Sequence, residues 1–386
     1  MITAEQVTIG FGVGTQPPLG RVHNLTRAAR VLGFDAIWTV DHFLGFMPQS
    51  IWDKDFSWLA DPAGSPHAYF DYQVLLGHLA SRAGNMQLAV GVTEPIRRHP
   101  VLLAQMAMTL SHVSKAPPII GIGSGEAENT VPYGFDFSRP VSRLAEALEL
   151  IRMCFDSQGA FRFEGSFYQM DDAVIDLRPK TGNRPQLWVA AHRPRMLDLC
   201  GRFGDGWWPA LPYTPESYEE AVRTIRRSAA RAGRDPAQIV PGWSNLVVVA
   251  KTEKEARRML DTPPLRFLAL LAPDYIWQSF GHRHPMGEGF GGLIDFTPQR
   301  YDRQTMERAM RLVPVDLVAE AVMWGTPQSM YEGLGDFVDA GLRHISLSPV
   351  GALVSRKDAI YSLRAVVSLL RKLRRHGLPK SSSHPN

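Results

Sequence analysis

What most constrains this chain is a repeated alternation: an apolar, β-branched run of strand length gives way to a run with helical spacing of apolar residues, again and again. "VTIGFGV" (7–13) leads to "RVHNLTRAARVLGF", "DAIWTV" (35–40) to "FDYQVLLGHLASRAG", and "MQLAVGV" (86–92) to "PVLLAQMAMTLSHVS". "PIIGIG" then leads to "VSRLAEALELIRMCF", and "QLWVAA" (186–191), "DGWW" around Trp207, "NLVVVA" (245–250) and "HISLSPV" (344–350) supply further strands. Parallel strands need long crossovers, and helices on those crossovers bury the sheet. Eight such units fit a closed (β/α)8 TIM barrel better than an open doubly wound sheet.

The 386 residues exceed an average domain, and two stretches break the rhythm. Residues 159–183 read as an excursion with short strands of its own. Residues 262–312 are rich in Gly, Pro, His and aromatics, and read as a lid at the barrel mouth. The expectation is one domain over 1–375 and a basic, disordered tail over 376–386. A net charge of +4 is small for this length, and much of it sits in the C-terminal "RKLRRHGLPKSSSHPN", so nucleic-acid binding is not expected. No apolar run reaches the roughly 18 residues of a membrane span. Cys154 and Cys200 sit in helical patterns without a disulfide framework or secretory signal, which points to reduced thiols and a cytoplasmic protein.

Residues just after each barrel strand converge on one mouth. Those positions hold Asp41, His42 and Phe43; Gly91, Val92, Thr93 and Glu94; Gly125, Glu126 and Asn129; and Ala191, His192, Arg193 and Arg195. "PIIGIGSGEAEN" (118–129) is the most telling. Gly121, Gly123 and Gly125 allow close approach to a flat or phosphorylated ligand, and a carboxylate follows at once. The same run also reads as a plain tight loop with Glu126 opening the next helix. His42 and Glu126 are the groups suited to proton transfer, although His42 alone could be a buried histidine paired with Asp41. The basic loop at 192–195 enters a helix and suits a phosphate. Dinucleotide, nucleoside-triphosphate and serine-hydrolase motifs are absent from the sequence, and His282 and His284 lack the companions of a metal set, so no metal is expected.

"IWTVDHF", "LAVGVTEPIRRHPVLLAQMAMTL", "GIGSGEAEN" and "LWVAAHRPRMLDLCGRFGDGWW" resemble, in order, the signatures of the bacterial luciferase-like oxidoreductases. The nearer likeness is to the branch that uses the deazaflavin coenzyme F-420. "EAENTVPYG" and "HPMGEGFGGLIDFTPQRYDRQTM" are similar to the mycobacterial phthiodiolone dimycocerosate ketoreductases within it. The resemblance implies the barrel and the deazaflavin, and a homodimer. It also implies that His42 and Glu126 form the catalytic acid–base pair and that Asp41 and Thr93 contact the ring system. Gly91–Val92 would be a cis peptide backing that ring, with Gly125 beside it. Asn129, Ala191, His192 and Arg193 would hold the ribityl phosphate. Phe46 stands where sugar-phosphate dehydrogenases of the branch carry tryptophan, and the phosphate-binding lysines are missing, so a sugar phosphate is disfavoured. Met47, Trp52, Trp58, Phe70, Trp277 and Phe280 instead suggest an apolar pocket for a hydrophobic or lipid ketone. An FMN-dependent monooxygenase and a non-catalytic flavin- or lipid-binding barrel are the competing readings.

Overall fold

The computed structural model describes residues 7–210 and 212–376. The N-terminal part alternates strand and helix: β1 (Thr8–Gly12), α1 (Leu19–Leu32), β2 (Ala36–Thr39), α2 (Ala60–Ala63), α3 (Tyr72–Leu79), β3 (Gln87–Thr93), α4 (Pro100–Val113), β4 (Ile119–Ile122) and α5 (Pro140–Asp156). An antiparallel hairpin, β5 (Phe161–Glu164) and β6 (Gln169–Ala173), occupies the 159–183 excursion, as the sequence pattern suggested. The alternation resumes with β7 (Gln186–Val189), α6 (Pro194–Phe203), β8 (Gly206–Trp207), α7 (Pro215–Arg231) and β9 (Val240–Val249). Then come α8 (Glu253–Leu260), α9 (Pro263–Leu270), α10 (Asp274–Ser279), α11 (Arg303–Arg311), α12 (Val315–Ala321), β10 (Met323–Gly325), α13 (Pro327–Asp339), β11 (His344–Pro349) and α14 (Arg356–His376).

The strands close into a ring, β1-β2-β3-β4-β7-β8-β9-β11, all parallel. These are the eight strands read from the sequence. β9 starts earlier than its apolar run suggests, because Val240–Pro241 pairs with β8 before the Val-rich half reaches β10. The tail lies outside the described residues beyond His376. Among the described residues, no helix is long and apolar enough to cross a membrane.

Two layers fill the barrel. Between strands and helices, Leu, Ile, Val and Met side chains form the main core, which takes up both free cysteines, Cys154 and Cys200. Inside the ring, Trp38, Trp188 and Trp208 make a plug with Ala36, Ala89 and Ile119. The Trp38 and Trp208 rings stack 3.7 Å apart at 8°. Gly91 must be glycine for this plug to close: a Cβ there would lie 2.7 Å from the Trp208 indole nitrogen and 2.9 Å from Trp38.

The 262–312 segment differs from the expected lid. Helices α8 to α12 enclose a hydrophobic core of their own, shared with Ile51 and Phe56 of the loop after β2. Trp277 is 1% exposed and Phe296 likewise, so these aromatics are used in holding a helical cap together and are not laid open to a substrate. Phe46, Met47 and Trp52 pack against the same core.

Candidate active site

The 3-10 turn Ala127–Asn129 follows β4, with Glu126 at its N-cap, and sets Glu126, Glu128 and Asn129 close together. Gly125 takes φ +91°, a backbone that only glycine adopts without strain, and turns the chain so that Glu126 faces the barrel mouth. Thr130 Oγ1 donates to the Glu126 carbonyl at 2.7 Å and pins the turn.

His42, at the end of β2, meets this turn. Its Nδ1 lies 3.9 Å from Glu126 Oε2, 3.3 Å from Glu128 Oε1 and 2.8 Å from Asn129 Nδ2. The His42 and Glu126 side chains keep 14% and 29% of their surface open, whereas Glu128 is fully enclosed. Burial pushes the Glu126 carboxyl up to about 7, with the neighbouring Glu128 adding to the shift and His42 opposing it. Burial pushes Glu128 up to about 8, opposed by the Asn129 hydrogen bond and Arg97. Both acids therefore hold protons at pH values where a solvated glutamate holds none. The Tyr69 ring packs 5.4 Å from His42, and burial raises its phenol too.

Three imidazole and carboxylate ligand atoms here lie within 4.8 Å of one another, close enough in principle for a metal. Asn129 Nδ2 lies within 3.3 Å of all three, so a hydrogen-bond donor takes the place where a cation would sit.

The structure brings His42 and Glu126 together as the sequence suggested, and Gly91–Val92 is a cis peptide inside a shift of the β3–β4 register. Val92 is half-buried above the tryptophan plug. Three other residues serve differently from the expectation. Asp41 is 6% exposed and its carboxylate is taken up by Arg97 at 3.0 Å, Arg98 at 2.8 Å and the Thr93 hydroxyl at 2.7 Å. Thr93 is fully buried. Both therefore brace the mouth from behind, because their polar atoms are consumed by protein partners. Asn129 is 2% exposed, and every polar atom of its amide bonds to the β2 and β4 loops, so it has nothing left for a phosphate.

On the opposite side of the mouth, Ala191 is buried and accepts from Trp207 Nε1 through its carbonyl at 2.8 Å. His192 is kept neutral by burial, which lowers it to about 4. Arg193 is exposed, caps α6 without a side-chain hydrogen bond, and lies 4.8 Å over the Tyr275 ring of the helical cap. α6 thus begins without a side-chain cap, with the exposed Arg193 and Arg195 at its start, Arg195 donating to the Ser142 hydroxyl at 2.8 Å. Residues 274–294 of the cap thus border the site, with Tyr275 at Arg193.

Sequence reasoning missed Glu128 and the arginine pair. The second acid in "GEAEN" and the "RR" in "PIRRHP" are the signals that could have found them.

The profile of the family described as "Luciferase-like monooxygenase" matches residues 3–344. A phthiodiolone/phenolphthiodiolone dimycocerosates ketoreductase of Mycobacterium sp. (strain JLS) is 32% identical over 97% of this chain and 100% of its own length. The protein of the same name from Mycobacterium kansasii is 35% identical over 90% and 96%. Among solved structures, an F-420-dependent secondary alcohol dehydrogenase in complex with an F-420–acetone adduct superposes with a TM-score of 0.72 at 18% identity. That match covers 94% of this chain and 98% of the other. The coenzyme F-420-dependent tetrahydromethanopterin reductase of Methanopyrus kandleri gives 0.69 at 21%, covering 94% and 97%. A parallel barrel with a cis peptide in its third strand, a carboxylate–histidine pair at its mouth, and a family match over residues 3–344 lead to one statement: this chain belongs to the luciferase-like family.

Proposed function

We propose that this chain is a deazaflavin-dependent ketoreductase that converts a ketone of a hydrophobic, lipid- or polyketide-like substrate to an alcohol. The observation that carries the reading is the Glu126–His42 pair: a carboxyl raised to about 7 beside an imidazole, at the open mouth of a barrel of this family. The ketoreductase names of relatives matched over nearly their full length support the reaction type.

The residues fit a flat, anionic cofactor. Val92 and the stacked Trp38 and Trp208 offer an apolar floor for a planar ring system. Arg97 Nη1 is buried without a partner and is suited to an acceptor atom of a ligand. The α6 N-terminus with His192, Arg193 and Arg195 would hold the phosphate. When bound, the reduced deazaflavin supplies the hydride. His42 and Glu126 then supply what the developing alkoxide needs, a hydrogen bond and a proton. Arg97, Arg98 and Asp41 hold the His42 loop in place behind them.

A cavity of about 120 Å³ lies against Tyr69, whose ring packs beside His42. Phe46, Met47, Trp52, Leu59 and Leu353 line most of it, with Gln16 and Arg21 at its polar part, and the apolar wall suits an apolar portion of the substrate. Titration of the purified protein with deazaflavin and, separately, with FMN tests the reading. Deazaflavin quenching with affinity in the micromolar range, followed by ketone-dependent oxidation of the reduced form, is expected. FMN binding without deazaflavin binding would instead favour an oxygen-dependent flavin enzyme.

A further inference from the structure

We infer that Asn129 is a positioning residue that fixes the tautomer of His42, holding it as a neutral imidazole with its proton on Nε2. The argument begins with the amide itself. Asn129 Oδ1 accepts two backbone hydrogen bonds, from Phe43 N at 2.7 Å and Leu44 N at 3.2 Å. Backbone amides can only donate, so the oxygen of the side chain must face them and the Nδ2 group must face His42. Nδ2 can only donate as well, and it sits 2.8 Å from His42 Nδ1. That nitrogen is therefore the acceptor, and a neutral ring carries its hydrogen on Nε2. A proton on Nδ1 would set two N–H groups against each other at hydrogen-bond distance.

The groups facing His42 agree with this assignment. Glu128 and Glu126 are the charged candidates on the Nδ1 side, Tyr69 covers the ring, and Arg97 lies behind the two acids. Below about pH 7 burial keeps both acids protonated, so neither draws a proton onto Nδ1 as a carboxylate would. Nε2, on the other edge of the ring, has no hydrogen-bond partner among the described residues.

The chemical consequence rests on the ketoreductase reading. His42 acts as a neutral hydrogen-bond donor that polarises the carbonyl, and Glu126 is the proton source. When bound, the reduced deazaflavin would supply a hydride to the carbonyl carbon and be left oxidised by two electrons, as the C=O π pair moves onto oxygen. The oxygen takes the Glu126 proton, leaving a carboxylate, while His42 keeps its own proton.

Nitrogen-15 NMR of histidine-labelled full-length protein, without cofactor at pH 6, where both acids keep their protons, reads the tautomer directly. Signals lost in His42→Gln identify His42. The expected result is a protonated Nε2 and a bare, downfield Nδ1. Asn129→Asp keeps the acceptor for Phe43 and Leu44 but replaces the donor with an oxygen, and it should move a proton onto Nδ1. Turnover of that variant should fall about a hundredfold, the effect of losing one oriented donor, with deazaflavin affinity little changed. Wild-type protein with its proton on Nδ1, or an Asn129→Asp spectrum identical to wild type at His42, overturns the inference. If the variant does not fold, the wild-type spectrum alone decides. An Nε2-protonated His42 in a protein that ignores deazaflavin would leave the tautomer standing and sink the ketoreductase reading instead.

Discussion

Two histidines of this barrel sit among aromatic rings and differ in what surrounds them. His344, in β11, lies in the tryptophan plug with no exposed surface. Its Nε2 accepts from Trp38 Nε1 at 3.1 Å, and its Nδ1 meets the Thr8 hydroxyl at 2.6 Å. Both ring nitrogens are satisfied, and burial lowers the group to about 3, so it stays neutral around pH 7. His42 has one nitrogen satisfied and one open, a second acid whose Oε2 is buried without a partner, and a glutamate that titrates near neutrality. A fully bonded buried histidine is a piece of core; a half-bonded one among protonated acids is poised for chemistry. The two rings also carry opposite tautomers, each fixed by a nitrogen donor, so one NMR spectrum should contain both.

The sharpest way to break this contrast is Glu126→Gln. The amide keeps the shape but has no proton to give, and turnover should fall by about two to four orders of magnitude while deazaflavin affinity stays nearly intact. In wild type the protonated acid is the working form, so rate should decline as pH rises through about 7. The variant should lose that limb of its pH–rate profile. Near-normal turnover in Glu126→Gln, combined with loss in His42→Gln, would make the imidazole the acid and merge the two roles.

What the sequence makes legible follows from the range of the interactions. Strands are local periods, and all eight barrel strands could be read; only the Val240–Pro241 start of β9 disguised itself. His42 and Glu126 follow directly from strand ends, where topology alone brings them together. Asp41 and Asn129 sit at the same kind of position, yet their partners lie elsewhere in the chain. The "RR" pair that engages Asp41 comes from the loop after β3, and the amides that engage Asn129 come from the loop after β2. Position after a strand indicates nearness to the mouth; it does not say which way a side chain points. The helical cap was misread for a related reason. Trp277 and Phe296 have the composition of a pocket wall, and only the packing of α8 to α12 reveals them as a separate core.

His344→Leu probes the other side of the comparison. The leucine fills comparable space but leaves the Trp38 indole N–H without a partner in a dry interior, at a cost of about 1–3 kcal/mol, while the half-buried Thr8 hydroxyl keeps the Arg343 carbonyl. A lower melting temperature with turnover per folded molecule within a few fold of wild type is expected. A collapse of turnover at unchanged stability would place His344 in the chemistry and erase the distinction.

A pH-dependent effect on stability belongs to Glu128, which is enclosed like His344 yet raised like Glu126. Its folded carboxyl is raised to about 8, while the unfolded chain binds that proton only below the ordinary glutamate range. Between those limits the folded state holds more protons than the unfolded one, so stability must fall as pH rises from about 4.5 to about 8. Glu128→Gln removes this contribution, because its amide oxygen can still accept from Asn129 Nδ2 but cannot ionise. Melting curves of the two proteins should nearly coincide at pH 5 and separate by pH 8, with the variant the more stable. Parallel curves across that range would mean that Glu128 is already ionised in the folded protein. His42 would then face a carboxylate at Nδ1, and the imidazole would be drawn toward the protonated form that His344 does not adopt around pH 7.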